Sequence, residues 1–163
     1  MAAEVLNEMG AKISPESIAT GLAKVRWPGR LQILQRKPWV VVDGAHNADS
    51  AKRLVKALKG YFDFSRLILV FGASSDKNIA GMVTELASIP DEVIVTCSRH
   101  PRAIPPERLV NEFSRKGITP EVTENVVSAM ELAMAKSVSG DLVCATGSLF
   151  IVAEVMEYMI KRG

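Results

Sequence analysis

Along most of the chain, short runs of consecutive apolar residues alternate with longer stretches in which apolar residues return every three or four positions. Runs at 31–34 and 39–42 give two strand candidates, joined through Arg36-Lys37-Pro38. After them Ala51, Leu54, Val55 and Leu58 mark one face of a helix. The pattern then repeats. A strand at 67–71 precedes a helix bearing Ile79, Met82, Val83 and Leu86, and a strand at 92–96 leads through a long polar turn to a helix near 106–115. A weaker strand at 119–122 precedes a helix with Val126, Met130 and Met134. A strand at 142–145 precedes a last helix with Leu149, Val152, Ala153, Met156 and Ile160 at helical spacing.

Such alternation predicts an α/β fold: a Rossmann-like, mostly parallel sheet of about six strands flanked by helices on both faces. Upstream, Val5, Leu6 and Met9 share a helical face that ends at Gly10. Ser14 followed by Pro15 caps a second short helix with Ile18 and Leu22 on one side. The turn Trp27-Pro28-Gly29-Arg30 separates this helical lead-in, residues 1–26, from the sheet domain, residues 27–163.

In an open α/β sheet, ligands bind where strands run into helices. Four such loops should share one edge: 43–47, 72–78, 97–102 and 146–148. In the first, Asp43 offers a carboxylate suited to paired hydroxyls such as those of a ribose, Gly44 allows a tight turn, and Asn47 or Asp49 can cap the next helix. Simple satisfaction of turn and helix-end amides explains the same residues. In the second, Lys77 can neutralise a carboxylate or phosphate and Asp76 can orient it, or both can form a solvated charged cap.

The third loop holds Cys97, Arg99, His100 and Arg102. Its arginines suit an anion or an ordinary surface, and a zinc site would need His46 and Cys144 to converge on Cys97 and His100. Thr146-Gly147-Ser148 can donate hydroxyl and amide hydrogen bonds to a ligand or serve as an N-cap. Neither a G-x-x-x-x-G-K-[ST] phosphate loop nor a G-x-G-x-x-G fingerprint occurs, and no nucleophile elbow supplies an activated serine.

Composition narrows this reading. With 163 residues, 48% of them hydrophobic and 23% charged, the chain suits about one globular domain. A net charge of +2, without a long basic run, gives little reason to expect nucleic acid or a membrane surface. No apolar run approaches the roughly 18 residues of a membrane span. Cys97 and Cys144 sit among apolar or small residues, which fits reduced thiols and a cytoplasmic setting.

Several of these segments, taken together, carry a resemblance. Gly21-Leu22 through Trp27-Pro28-Gly29-Arg30, then Val42-Asp43-Gly44-Ala45-His46-Asn47, Ser75-Asp76-Lys77 and Thr146-Gly147-Ser148-Leu149 resemble the carboxy-terminal part of folylpolyglutamate and dihydrofolate synthases, within the Mur-ligase-like family. That family forms an acyl phosphate from ATP and a carboxylate, which the amino group of glutamate attacks to give an amide. The resemblance implies a Mur ligase C-terminal-domain type of fold that closes over ATP held by a central P-loop domain, which also carries most of the Mg2+ ligands. That central domain lies outside this chain, so the chain by itself should be inactive.

By the same resemblance, Arg30 contacts phosphate, Asp43 ribose, and His46 with Asn47 completes the nucleotide face. Lys77, His46 and Ser148 serve catalysis, and Ser75, Asp76, Lys77 and Ser148 face glutamate or the acyl phosphate. The acceptor is a folate or dihydropteroate. Two other readings stand beside this one: the equivalent domain of a cell-wall Mur ligase, and a non-catalytic Rossmann-like binding module.

Overall fold

A computed structural model describes residues 2–162; the expected outer bounds at Met1 and Gly163 lie outside the described residues. Helices α1 (Ala2–Glu8) and α2 (Pro15–Ala23) come first, and the Ser14 side chain caps α2 by accepting from the Ser17 amide. Neither helix contains a buried residue. Their apolar faces, including Val5, Leu6, Met9 and Leu22, are exposed.

The sheet region runs β1 (Gln32–Arg36), β2 (Trp39–Asp43), α3 (Ala48–Tyr61), β3 (Leu67–Phe71), α4 (Ile79–Leu86), β4 (Glu92–Val95), α5 (Pro106–Ser114), β5 (Glu121–Val122), α6 (Val126–Lys136), β6 (Leu142–Thr146) and α7 (Leu149–Arg162). The six strands lie in the order β1-β2-β6-β3-β4-β5. Only the β1–β2 pair is antiparallel; the others are parallel. The expected architecture is therefore present.

Alternation along the strands supplies two cores. Val41, Leu67, Leu69, Phe71, Val93, Val95, Leu142 and Cys144 face α3, α4 and α5, whose buried residues include Leu54, Leu58, Met82, Leu86, Leu109 and Phe113. Val40, Val42, Ile68, Val70, Ile94, Val143 and Ala145 face α6 and α7, which contribute Met130, Ala133, Ile151, Val152 and Val155. Every residue of β3 and β6 is buried, so these central strands read as unbroken apolar runs, through Phe71 in β3 and through Ala145 in β6.

β2, β4 and β6 end within one residue of expectation, and the two outer strands differ more. β1 begins one residue later and runs to Arg36, with a bulge between Ile33 and Gln35. Its expected first residue, Leu31, instead has φ 41° and donates its amide to Asp43 Oδ2 at 2.8 Å. β5 shrinks to two exposed residues, because Pro120 lacks the N–H that would extend the ladder at this edge.

At the edge where the parallel strands begin, Arg66 bonds Asp141 at 2.8 Å and Glu92 at 3.0 Å, while Lys136 pairs with Glu92 and Glu121. The Arg66 hydrogen bond holds the Asp141 carboxyl below the usual carboxylate range. This network secures the strand starts and leaves the opposite edge to the loops. No helix among the described residues is long and apolar enough to cross a membrane.

Candidate functional site

The loop after β2 is organised around the Gly44 carbonyl. It accepts from an Arg30 guanidinium nitrogen at 2.7 Å and lies 2.9 Å from His46 Nδ1. A carbonyl can only accept, so Nδ1 is the donor in this contact and Nε2 is left for other partners. Gly44 has no positive φ. A Cβ there would meet Leu149 Cδ2 at 2.3 Å and Arg30 at 3.1 Å, so its glycine serves close approach rather than the tight turn read from sequence.

Asp43 has one oxygen engaged by Leu31. Asn47 caps α3: its side-chain oxygen accepts from the Ser50 amide and hydroxyl, each at 2.8 Å. Beyond β3, Lys77 pairs with Asp76 at 2.7 Å, and this bond is the main cause holding the Asp76 carboxyl below its usual range. Ser74 is 5% exposed, whereas Ser75 is exposed.

The loop after β4 lies against the loop after β3. Ser74 and Ala103 form an antiparallel bridge, the Ser75 amide donates to the Arg102 carbonyl at 2.9 Å, and the Ile104 amide donates to the Ala73 carbonyl at 3.0 Å. After β6, Gly147 turns with φ +104°, and its missing Cβ would fall 2.4 Å from the Gly72 carbonyl oxygen. Thr146 Oγ1 donates to the Asp43 carbonyl at 2.7 Å, and Ser148 Oγ accepts from the Phe150 amide at 3.2 Å. Hydrogen bonds thus stitch neighbouring loops to one another.

Together the four loops and the start of α7 line a cavity of about 330 Å³: His46, Ser74, Asp76, Lys77, Arg102, Gly147, Ser148, Leu149 and Phe150. Arg30 lines a separate cleft of about 380 Å³ with Arg26, Trp27, Pro28 and Gln32. A larger cleft of about 630 Å³ is lined by residues of α6 and α7, and there Arg99 pairs with Glu154 and Glu157. The smaller cavity has the buried hydroxyls and net positive lining suited to a small anion.

Of the residues singled out from sequence, His46, Asp76, Lys77, Arg102 and Ser148 share this cavity. Asn47 and Ser75 are not among its lining residues, and Asn47's oxygen is used in the helix cap. Arg99 is also taken away: it binds Glu157 at 2.6 Å and Glu154 at 3.3 Å on α7. Cys144 lies buried within β6, so it does not meet Cys97 and His100 in a loop site. Among the described residues no group of three or more His, Cys, Asp and Glu could hold a metal.

Sequence reasoning missed Ser74 and Phe150. Ser74 becomes significant only through its bridge to Ala103. Phe150 carried a weak signal, as a large aromatic beside the core stripe of α7, and its ring stacks on His100 with centroids 3.6 Å apart and planes at 17°.

Residues 29–149 match the family described as Mur ligase, glutamate ligase domain. The dihydrofolate synthase/folylpolyglutamate synthase of Bacillus subtilis is 35% identical over 158 residues, which is 95% of this chain and 36% of that protein. Among solved structures, Escherichia coli FolC in complex with ADP superposes with a TM-score of 0.89 at 32% identity, covering 99% of this chain and 38% of that one. A bifunctional folylpolyglutamate synthase/dihydrofolate synthase with Mn, AMPPNP and L-glutamate bound gives 0.86 at 29% identity, covering 98% of this chain and 38% of that one. The chain thus spans little more than a third of these relatives.

Proposed function

The chain belongs to the Mur ligase, glutamate ligase domain family, and from that premise we propose that it is the carboxy-terminal part of an ATP-dependent folylpolyglutamate/dihydrofolate synthase. It helps bind ATP and glutamate for amide ligation to a folate or dihydropteroate carboxylate. The observation that carries this reading is the convergence of His46, Lys77 and Ser148, from three separate loops, on one cavity of about 330 Å³. Such positioning aligns the reactants and shields the activated carboxylate from water.

In this reading Arg30 reaches the phosphates with the guanidinium nitrogens not used on Gly44, and Asp43 meets ribose with its second oxygen. His46 presents Nε2 toward the amino group that attacks, and can accept its proton. Lys77 and Ser148 face the glutamate and the activated acyl group, with Asp76 orienting Lys77. ATP supplies the phosphoryl group that activates the carboxylate, and a P-loop domain holds it with most of the Mg2+ ligands. Residues 1–26 form the lead-in from that domain and residues 27–163 the closing domain; the unburied apolar faces of α1 and α2 support that division. We place the enzyme in the cytoplasm, where Cys97 and Cys144 remain as the free thiols seen here.

The test is ATP-dependent glutamate ligation by the longest native polypeptide containing this chain, with dihydropteroate and tetrahydrofolate as separate acceptors and magnesium present. Amide product with either acceptor is expected. No turnover with both, from a folded protein, overturns the assignment.

A further inference from the structure

Taken by helical period rather than as a run, the lysines of α3 fall on one stripe. Lys52, Lys56 and Lys59 return after four and three positions, within about 60° of one another around the helix, and all three are exposed. The helix holds four basic residues and one acidic residue, Asp49, in a chain whose net charge is only +2. Arg53 claims that carboxylate at 2.9 Å. The three lysines make no hydrogen bond or ion pair among the described residues.

The stripe starts at the rim of the four-loop cavity. His46 lines that cavity, Asn47 caps α3, and Lys52 follows about 7.5 Å further along the helix axis. From there the stripe runs about 10 Å to Lys59. At the far end Phe62, the C-cap, meets Trp39 edge-on with centroids 5.4 Å apart, and the exposed Arg36 lies over the Trp39 ring at 5.4 Å. A fourth cation thus stands where the lysines end. Beside α3, α4 exposes the uncharged Ala80 and Thr84, and neither its Glu85 nor Asp63, which follows α3, pairs with these lysines among the described residues.

We propose that the lysine stripe of α3 is a docking track for the polyanionic tail of an acceptor that already carries several glutamyl units. This rests on the ligase reading. The carboxylate that reacts lies at the free end of such an acceptor, so the units added earlier trail out of the cavity past its rim. Each keeps one free carboxylate, whichever of its two forms the amide, and these charges repeat every 3.5–6 Å or about that by standard bond lengths. Lysines spaced about 6 and 4.5 Å along the axis match the repeat, and their flexible stems absorb the remainder. Exposed contacts of this kind are individually weak, so their effect grows with the number of units engaged. The stripe therefore favours acceptors with long tails and leaves the bond-forming step unchanged.

The test uses the full ligase with tetrahydrofolate acceptors bearing one and four glutamyl units. It compares wild type with a triple variant, Lys52→Gln, Lys56→Gln and Lys59→Gln, and with the matching triple change to Arg. Loss of three exposed contacts predicts a KM for the tetraglutamyl acceptor ~3–30-fold higher in the Gln variant. The KM of the monoglutamyl acceptor, the KM of ATP and kcat should each move less than about twofold, and the Arg variant should keep the wild-type values. Added salt should weaken the tetraglutamyl preference of wild type and leave that of the Gln variant unmoved. An active enzyme whose Gln variant keeps its tetraglutamyl KM, or shows an equal rise for both acceptors, overturns this inference and leaves the ligase reading standing. Weaker binding of a single-stranded oligonucleotide by the Gln variant, with the tetraglutamyl KM unchanged, assigns the stripe to nucleic acid and overturns it too. A wild-type enzyme that ligates dihydropteroate alone likewise overturns only this inference. A folded wild-type enzyme without turnover on any of these acceptors overturns the ligase reading and this inference with it.

Discussion

Gly147→Ala should be among the most damaging small substitutions in this chain, although it adds a single methyl group. The residue has φ +104°, where an L side chain is strained by about 1–3 kcal/mol. The new Cβ would lie 2.4 Å from the Gly72 carbonyl oxygen and 2.7 Å from Phe71 Cε2. Neither neighbour can yield freely. The Gly72 amide is bonded to the Thr146 carbonyl at 3.2 Å, and the buried Phe71 ring packs edge-on against Phe113 with centroids 5.5 Å apart. Overpacking of this kind costs about 1–3 kcal/mol, giving together a loss of about 2–6 kcal/mol. For a domain of this size, a loss of about 4 kcal/mol lowers the thermal midpoint by roughly 8–16 °C.

Two other glycines separate the causes in urea titrations followed by circular dichroism. Gly117 has φ +77° and open space around a new Cβ, so Gly117→Ala should lose only about 1–2 kcal/mol. Gly60 lies in α3 with open space and no positive φ, so Gly60→Ala should gain about 0.5–1 kcal/mol. If Gly147→Ala is no less stable than Gly117→Ala at an unchanged denaturant slope, the close-contact reasoning is wrong.

Three further outcomes are expected. Asp43→Ala should cost about 1–2 kcal/mol of stability as well as nucleotide affinity, because it strips the acceptor from the Leu31 amide, whereas Asp43→Asn should keep most of the stability; equal urea midpoints for Asp43→Ala and wild type would refute this. Burial pushes the thiols of both Cys97 and Cys144 up, so a maleimide at neutral pH should label the partly exposed Cys97 slowly and Cys144 only after denaturation; rapid native labelling at Cys144 in a mass spectrum would contradict the fold. Because the Asp141 carboxyl is depressed in the folded state, its stabilisation is full above the ordinary value of about 3.9 and is lost as pH falls through the lower folded value. Asp141→Asn should therefore be less stable at neutral pH and lose stability less steeply below about pH 4, and an unaltered acid slope in urea midpoints would count against the linkage.

The central architecture was legible because burial on both sheet faces makes β3 and β6 unbroken apolar runs; β3 spans the expected residues 67–71. Helix caps were also local enough to read, as Ser14 and Asn47 show. Boundaries depending on distant partners were not. Leu31 looked like a strand residue until Asp43 captured its amide, and the 119–122 strand was shortened at an edge with no outer neighbour.

In the site, the rule that strand-to-helix loops share an edge brought His46, Lys77 and Ser148 to one cavity. It could not distinguish Arg99 from Arg102. That division depends on Glu154 and Glu157, which lie on α7 more than fifty positions away and claim Arg99 alone. Likewise, no local pattern marks Ser74 as the partner of Ala103.

The place of β6 in the sheet also bears on how the chain is made. β6 follows the other five strands of this sheet in sequence, yet it lies between β2 and β3 and pairs with both. While the ribosome is still adding residues before 142, β2 and β3 each wait with an unpaired inner edge and an apolar face. The β1–β2 hairpin and the β3–β4 pair can form as separate fragments, but only arrival of β6 joins them. A nascent chain stalled before that point exposes two open strand edges, a form open to aggregation and to cellular quality control.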